Sequence, residues 1–208
     1  GLALHLAAPR IPAGADPLGP ENVLGFAAGL LTGTGSLFSG RWTVTGKSPL
    51  TGGWGDANCG GHFAPAIKRS GYDAIFFTGV SPSPVYLRVD NGRAELRDAR
   101  PVWGQDTFAT EARLTAEAGG KRFRVACIGP AGERRSLISG VATDRGRMAA
   151  RSGLGAVMGA KNLKAVVLGG ARRIRPHDRE AVQALSRRCH EAVQFHPPFL
   201  NGRMMAYA

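Results

Sequence analysis

Two arginines four residues apart, Arg147 and Arg151, stand just before the stretch Ser152-Gly153-Leu154-Gly155, where a helix is expected to begin. On a helix that spacing puts both guanidiniums on one face. Free N–H groups at a helix start, added to two such forks, make an anion site suited to phosphate. Charge is concentrated around them. Residues 134–164 hold seven basic side chains (Arg134, Arg135, Arg145, Arg147, Arg151, Lys161 and Lys164) against one acid, Asp144. The competing interpretation is a solvated basic surface, which most charge runs are. A second group, Asn58-Cys59-Gly60-Gly61-His62, places a thiol and an imidazole in a Gly-rich turn. Such a turn could host an active-site role, but no third residue is in view to orient either one, so a plain packing or solvent-facing role is expected for both.

Other chemistries are excluded by spacing. Gly155, Gly159 and Lys161 do not form a P-loop, and no Ser or Thr follows the lysine. Gly33-Thr34-Gly35 lacks the third glycine of a dinucleotide turn. There is no paired-carboxylate motif, Gly-x-Ser-x-Gly elbow or histidine cluster. The three cysteines are far apart and form no CxxC pair, so neither a disulfide framework nor a zinc ribbon is expected and a reduced, cytoplasmic setting is.

The elements that must position these residues read as follows. Strands are expected over 23–31, 72–77, 85–89, 94–96, 123–128 and 164–168, with Asn91-Gly92 as a hairpin turn. Helices are expected over 62–70, from Asp106 or Thr107 to Ala118 before Gly119-Gly120, and over 178–195 before Pro197-Pro198. Hairpins with helices between them indicate an α+β domain. Ser36-Leu37-Phe38-Ser39-Gly40 matches Ser136-Leu137-Ile138-Ser139-Gly140. Gly60 precedes Lys68 by the same interval as Gly153 precedes Lys161, and each lysine leads into a strand. The chain is therefore expected to hold two similar halves, each a mixed or antiparallel sheet with short helices, related by a pseudo-two-fold duplication. Residues 1–176 are expected to form the first domain and 177–208 the helical start of the next or a linker.

The 208 residues carry 22 arginines, five lysines and a net charge of +12, with twice the usual share of glycine. Such a charge first suggests nucleic acid. No aromatic-interleaved basic stretch, RNP-like strand or helix-turn-helix pattern supports that. The longest apolar run, residues 23–31, is far short of the ~20 needed to span a membrane.

In order along the chain stand Pro17-Leu-Gly-Pro-Glu-Asn22, Lys47-Ser-Pro-Leu-Thr-Gly52, Asn58-Cys-Gly-Gly61 and Gly71-Tyr-Asp-Ala-Ile75. Trp103-Gly104, Ile128-Gly-Pro-Ala-Gly-Glu133 and Gly155-Ala-Val-Met-Gly-Ala-Lys-Asn-Leu-Lys164 follow. Together they resemble the N-terminal domain of the aldehyde ferredoxin oxidoreductases, the tungstopterin enzymes, over about residues 1–170. The resemblance implies a base for a bis-pterin tungsten or molybdenum cofactor, its phosphates bridged by Mg²⁺, with each half facing one pterin. It assigns cofactor contact to Arg41, Asn58, Gly60, Arg147, Met148, Ala150 and Arg151, and Mg²⁺ to the backbone carbonyls of Asn58 and Met148. Met148, Ala150 and Ser152 stand where the family has Ala, Gly and Gly. It further implies a small aldehyde oxidised to its acid, ferredoxin as acceptor, and a homo-oligomer as one assembly. A [4Fe–4S] cluster belongs to downstream domains, and a first strand precedes Gly1. On this reading the chain is a fragment, inactive by itself. A relative acting on an aromatic ring or a thioester is the alternative.

Overall fold

The computed structural model describes residues 1–194. The Pro- and Ala-rich lead-in contains a short helix, α1 (Leu2–Ala7), seated by Ala3 and Ala7. Four strands and a helix follow: β1 (Leu24–Ala28), β2 (Trp42–Lys47), β3 (Trp54–Cys59), α2 (Phe63–Arg69) and β4 (Ala74–Phe77). They form one antiparallel sheet in the order β3-β2-β1-β4.

The chain then makes the hairpin β5 (Val85–Asp90) and β6 (Arg93–Asp98), turning at Asn91-Gly92 as expected. Next come α3 (Thr107–Ala118), β7 (Arg124–Cys127), α4 (Pro130–Glu133), β8 (Val141–Thr143), β9 (Arg147–Ala149), α5 (Leu154–Ala160) and β10 (Leu163–Gly169). The second sheet has the order β6-β5-β10-β7-β8-β9. It is mixed, since β5 and β10 run parallel. The class is α+β, as the sequence indicates.

Connectivity recurs between the sheets. Three strands, a helix and a fourth strand give the neighbour order β3-β2-β1-β4 in one and β9-β8-β7-β10 in the other. The matched Ser-Leu-x-Ser-Gly segments also fold alike. Ser39 Oγ donates to Ser36 O at 2.7 Å, and Ser139 Oγ to Ser136 O at 2.6 Å.

A single apolar cluster runs through both sheets, from Leu24, Phe26 and Trp42 to Val141, Leu154 and Leu168. Phe26 stacks on Trp42 and meets Phe63 and Phe77 edge-on, an arrangement favoured by ring quadrupoles. α2 packs on β1, β7 and β10, while α5 packs on β1, β2 and β10. All seven residues of α5 are buried. α5 lies so close to α4 that a Cβ at Gly159 would overlap the Gly132 carbonyl. A larger residue there would push the helices apart.

α3 is capped as its sequence indicates. Asp106 accepts from the Ala109 N–H at 2.8 Å, and Gly119 closes the helix at φ 115°. The last helix, α6 (Arg179–Gln194), begins at Asp178, which accepts from the Ala181 N–H at 2.8 Å. Its expected stop at Pro197-Pro198, and the rest of the 177–208 segment, lie outside the described residues. Among the described residues no helix is long and apolar enough to cross a membrane.

β2, β3, β8 and β9, with the short helices α1 and α4, are absent from the elements the sequence predicts. The Gly-rich stretch that predicts a turn forms β3, although Gly55, Asp56 and Asn58 are poor strand formers. It is a strand because β2 pairs with it along its whole length, from Trp42↔Cys59 to Lys47↔Trp54. β8 and β9 have only three residues each and are held by the same kind of pairing.

Candidate functional site

The period of β3 sorts its side chains. Ala57 and Cys59 point into the core, whereas Asp56 and Asn58 point out. On that outer face lies a cavity of about 780 Å³ lined by Arg41, Thr43, Thr45, Asp56, Asn58 and Lys68, with residues of α1 and β1 completing it. Arg41 donates from Nε to Asn58 Oδ1 at 2.8 Å and from Nη2 to the same oxygen, which places its fork over the end of β3. A longer contact of 3.4 Å joins Nη2 to the Asn58 carbonyl.

Arg147 reaches the same place from β9, on the edge of the other sheet. A Cβ built on Gly60 would meet Arg41 Nη1 and Arg147 Nη1, each at 3.6 Å. One guanidinium from each half thus converges over a residue with no side chain. Among the described residues neither arginine is in an ion pair. Two unpaired cations at such range repel one another, and an anion between them would be bound by both.

The turn beneath them is closed by a residue the sequence reading did not single out. Asp144, at the tip of the β8–β9 hairpin, accepts the His62 N–H at 2.6 Å through Oδ2. Its Oδ1 is buried without a hydrogen-bond partner among the described residues. A Cβ on Gly61 would overlap Oδ2 and crowd Arg147 Cδ, and Gly61 has φ 108°. Glycine is required there on both counts. The hairpin tip itself is left-handed at Asp144 (φ 47°) and Arg145 (φ 57°). The Arg145 N–H donates to Glu111 Oε2 on α3 at 2.9 Å. Burial raises the Glu111 carboxyl above its ordinary range, opposed by that bond. The Asp144-Arg145-Gly146 triplet between two apolar segments was the signal available for this turn.

Cys59 lies beneath the pair with Sγ 3.3 Å from the Gly60 carbonyl. Burial raises its thiol, Arg147 and Arg41 lower it, and Asp144 raises it again. The balance is upward, so Cys59 is a packing residue and no activated nucleophile. His62 is exposed at the N-cap of α2.

Two expectations are corrected. Arg147 lies on β9 and Arg151 in the connection beyond it, so they share no helix face. Only Arg147 meets Gly60. The charge of residues 134–164 does not form one anion surface either. Lys164 is fully buried and donates to Glu133 and to the Gln105 carbonyl, at 2.8 Å for the latter. Lys161 is 4% exposed and donates to the Gly79 carbonyl at 2.9 Å. Both hold the fold together. Met148 and Ala150 flank Gly140, whose absent Cβ would crowd Met148 Cε at 3.0 Å and overlap the backbone at Ala150. Ser152 adopts φ 64°, followed by Gly153 at φ 64°. A serine holds the left-handed conformation where glycine would hold it freely, and its carbonyl accepts Ser48 Oγ at 2.9 Å.

Residues 1–170 match the family described as aldehyde ferredoxin oxidoreductase, N-terminal domain. The chain belongs to that family. It is 43% identical over 180 residues to the tungsten-containing aldehyde ferredoxin oxidoreductase of Pyrococcus furiosus, covering 86% of this chain and 30% of that protein. It is 46% identical over 164 residues to the corresponding protein of Pyrococcus abyssi, covering 79% and 27%. A P. furiosus aliphatic sulfonate oxidoreductase, WOR-like subunit, is 34% identical over 186 residues, covering 83% and 29%. Among solved structures, the active site complex BamBC of benzoyl coenzyme A reductase, in complex with 1,5-dienoyl-CoA, superposes with a TM-score of 0.88 and 37% identity. That match covers 91% of this chain and 29% of the other. The chain thus spans about 30% of the length of the curated oxidoreductases that it matches.

Among the described residues no group of three or more His, Cys, Asp and Glu side chains is gathered to hold a metal ion. What this family member offers at the site is a pair of arginines over a bare glycine backbone, with carbonyl oxygens beside it. Those groups fit a phosphorylated cofactor held by its phosphates and by hard, oxygen-seeking cations.

Proposed function

We propose that this chain is the part of a tungsten-containing oxidoreductase on which a bis-pterin cofactor lies, in an enzyme that oxidises a small aldehyde to its carboxylic acid. The aldehyde takes up an oxygen from water and releases two electrons and two protons, the electrons passing to ferredoxin. The observation that carries this reading is the convergence of Arg41 and Arg147, one from each half, over Gly60. The recurring strand order supports the two halves as copies of one ancestral unit, each facing one pterin.

In this reading Arg41 and Arg147 bind the phosphates and Gly60 gives the cofactor access to the backbone. The carbonyls of Asn58 and Met148 hold Mg²⁺, which prefers oxygen ligands. Met148, Ala150 and Arg151 would add further contacts to the cofactor. When bound, the metal–dithiolene group supplies the two-electron redox change, tungsten being favoured over molybdenum by the named relatives; the protein supplies binding and orientation. The [4Fe–4S] cluster and the substrate pocket belong to the remaining length of the enzyme, and the chain alone does not turn over aldehyde.

A second reading, reduction of an aromatic-ring thioester, is favoured by the structural match to the benzoyl coenzyme A reductase complex. The full-length enzyme, produced with tungstate and molybdate both supplied, distinguishes them. Metal analysis and pterin fluorescence are expected to find tungsten with two pterins per metal, and aldehydes to reduce ferredoxin. Activity with the dienoyl thioester alone would favour the second reading. Neither metal nor pterin in the purified enzyme would sink both.

A further inference from the structure

Arg147 lies on a three-residue strand at the edge of its sheet, yet it must stand at a fixed distance from Arg41 in the other half. A strand so short has few ladder bonds to hold it. The hairpin that carries it is anchored at its tip by two carboxylates. Glu111 on α3 accepts the Arg145 N–H, and Asp144 accepts the His62 N–H across the junction between the halves. Next to that second bond, Gly61 is bare because Asp144 and the Arg147 stem both press against it.

We infer that Asp144 is a positioning residue: its bond to the His62 N–H clasps the β8–β9 hairpin onto the Gly60-Gly61 turn and so sets the spacing of Arg41 and Arg147. The inference rests on the function proposed above for that pair.

The chemistry of Asp144 supports a role beyond turn formation. Oδ1 is buried with no donor among the described residues, a desolvation cost that a structural hydroxyl would not incur. A carboxylate at this point also sits where two guanidiniums approach each other without a counter-ion. It offsets their repulsion while the site awaits an anion. Positions that bind a charged group gain from being held within about 0.5 Å of the productive geometry, and a loose edge strand cannot provide that.

The test uses the full-length enzyme and two readouts: hydrogen exchange at the His62 amide in cofactor-free protein, and tungsten and pterin content after loading. In Asp144→Ala the His62 amide is expected to exchange about tenfold faster, since its bond is lost while the global fold remains. Cofactor content is expected to fall about threefold or more, with the unfolding midpoint within about 2 °C of the wild type. Asp144→Asn keeps an acceptor oxygen and is expected to restore both readouts in large part. Glu111→Ala frees the other anchor and is expected to show the same effects more weakly; it carries the test if D144A does not accumulate. Unchanged exchange in D144A overturns the clasp. Faster exchange with full cofactor content overturns the positioning role while leaving the clasp. A wild-type enzyme without tungsten or pterin removes the proposed function instead, and the exchange measurement still judges the clasp.

Discussion

Arg147→Ala in the full-length enzyme isolates the contribution of the second half to anion binding. Arg147 is exposed and pairs with no carboxylate among the described residues, so its removal leaves no buried charge behind. Unfolding free energy should change by no more than about 0.5 kcal/mol. Arg41 stays in place, because its contacts run to Asn58. A hydrogen bond between a guanidinium and a phosphate contributes about 1.5–3 kcal/mol. Solvent screening at an exposed site places this one near the lower end. A loss of about 1.5 kcal/mol shortens cofactor retention roughly tenfold. Arg147→Lys keeps the charge without the planar fork and should lose roughly threefold. The loaded protein is diluted into cofactor-free buffer, and the tungsten that stays with it is measured over time after gel filtration. Arg134→Ala, from the same basic stretch but at the end of α4 and outside the groups that meet Gly60, serves as the control and should match the wild type. Retention by R147A equal to that of the wild type, or an equal loss in R134A, would refute the convergent-arginine reasoning.

Two further outcomes concern the scaffold. Burial lowers the Lys161 ammonium from 10.5 to about 8, so between those pH values the unfolded chain binds the extra proton. The stability of the wild type relative to Lys161→Met should therefore rise with pH, by roughly 2 kcal/mol between pH 7 and 10. Urea unfolding at the two pH values checks this, and a flat difference would contradict it. Ser152→Gly relieves a left-handed serine at φ 64° and should stabilise the protein by about 1 kcal/mol, read as a rise of a few degrees in unfolding midpoint. A fall in midpoint would mean that the Ser152 side chain contributes more than its backbone strain costs.

Elements whose signals are local were legible in the chain. The Asn91-Gly92 turn, the Asp106 cap and the Gly119 stop each act within a few residues, and each appears where its chemistry requires. The fully buried runs of β1 and β10 were legible for the same reason, because continuous apolar segments need no distant partner to be recognised. β3 was not, since its glycines, Asp56 and Asn58 argue for a loop. Only pairing with β2 overrides that preference. The same non-local pairing changed the site. A spacing of four residues between Arg147 and Arg151 suggests a shared helix face, and the strand β9 separates them.

The order of motifs along the chain was enough to identify the family, because each motif is a short run of residues with its own turn or cap chemistry. The residue types that a phosphate requires, Arg41 and Arg147 with Gly60 between them, were present and nameable at that level. Which arginines meet was a matter of packing. Arg41 and Arg147 are over a hundred positions apart, and only the junction of the two sheets brings their Nη1 atoms to 3.6 Å from the same point. Asp144 shows the same limit from the other side. Its side chain is one acid in a basic stretch until the hairpin folds across to the His62 N–H. Even the net charge was redistributed by folding, which buries Lys161 and Lys164 against carbonyls and Glu133 and leaves Arg147 alone of that basic stretch beside Gly60. Charge adds along a sequence without regard to direction; an anion site needs it aimed, and aim is a property of the assembled sheets.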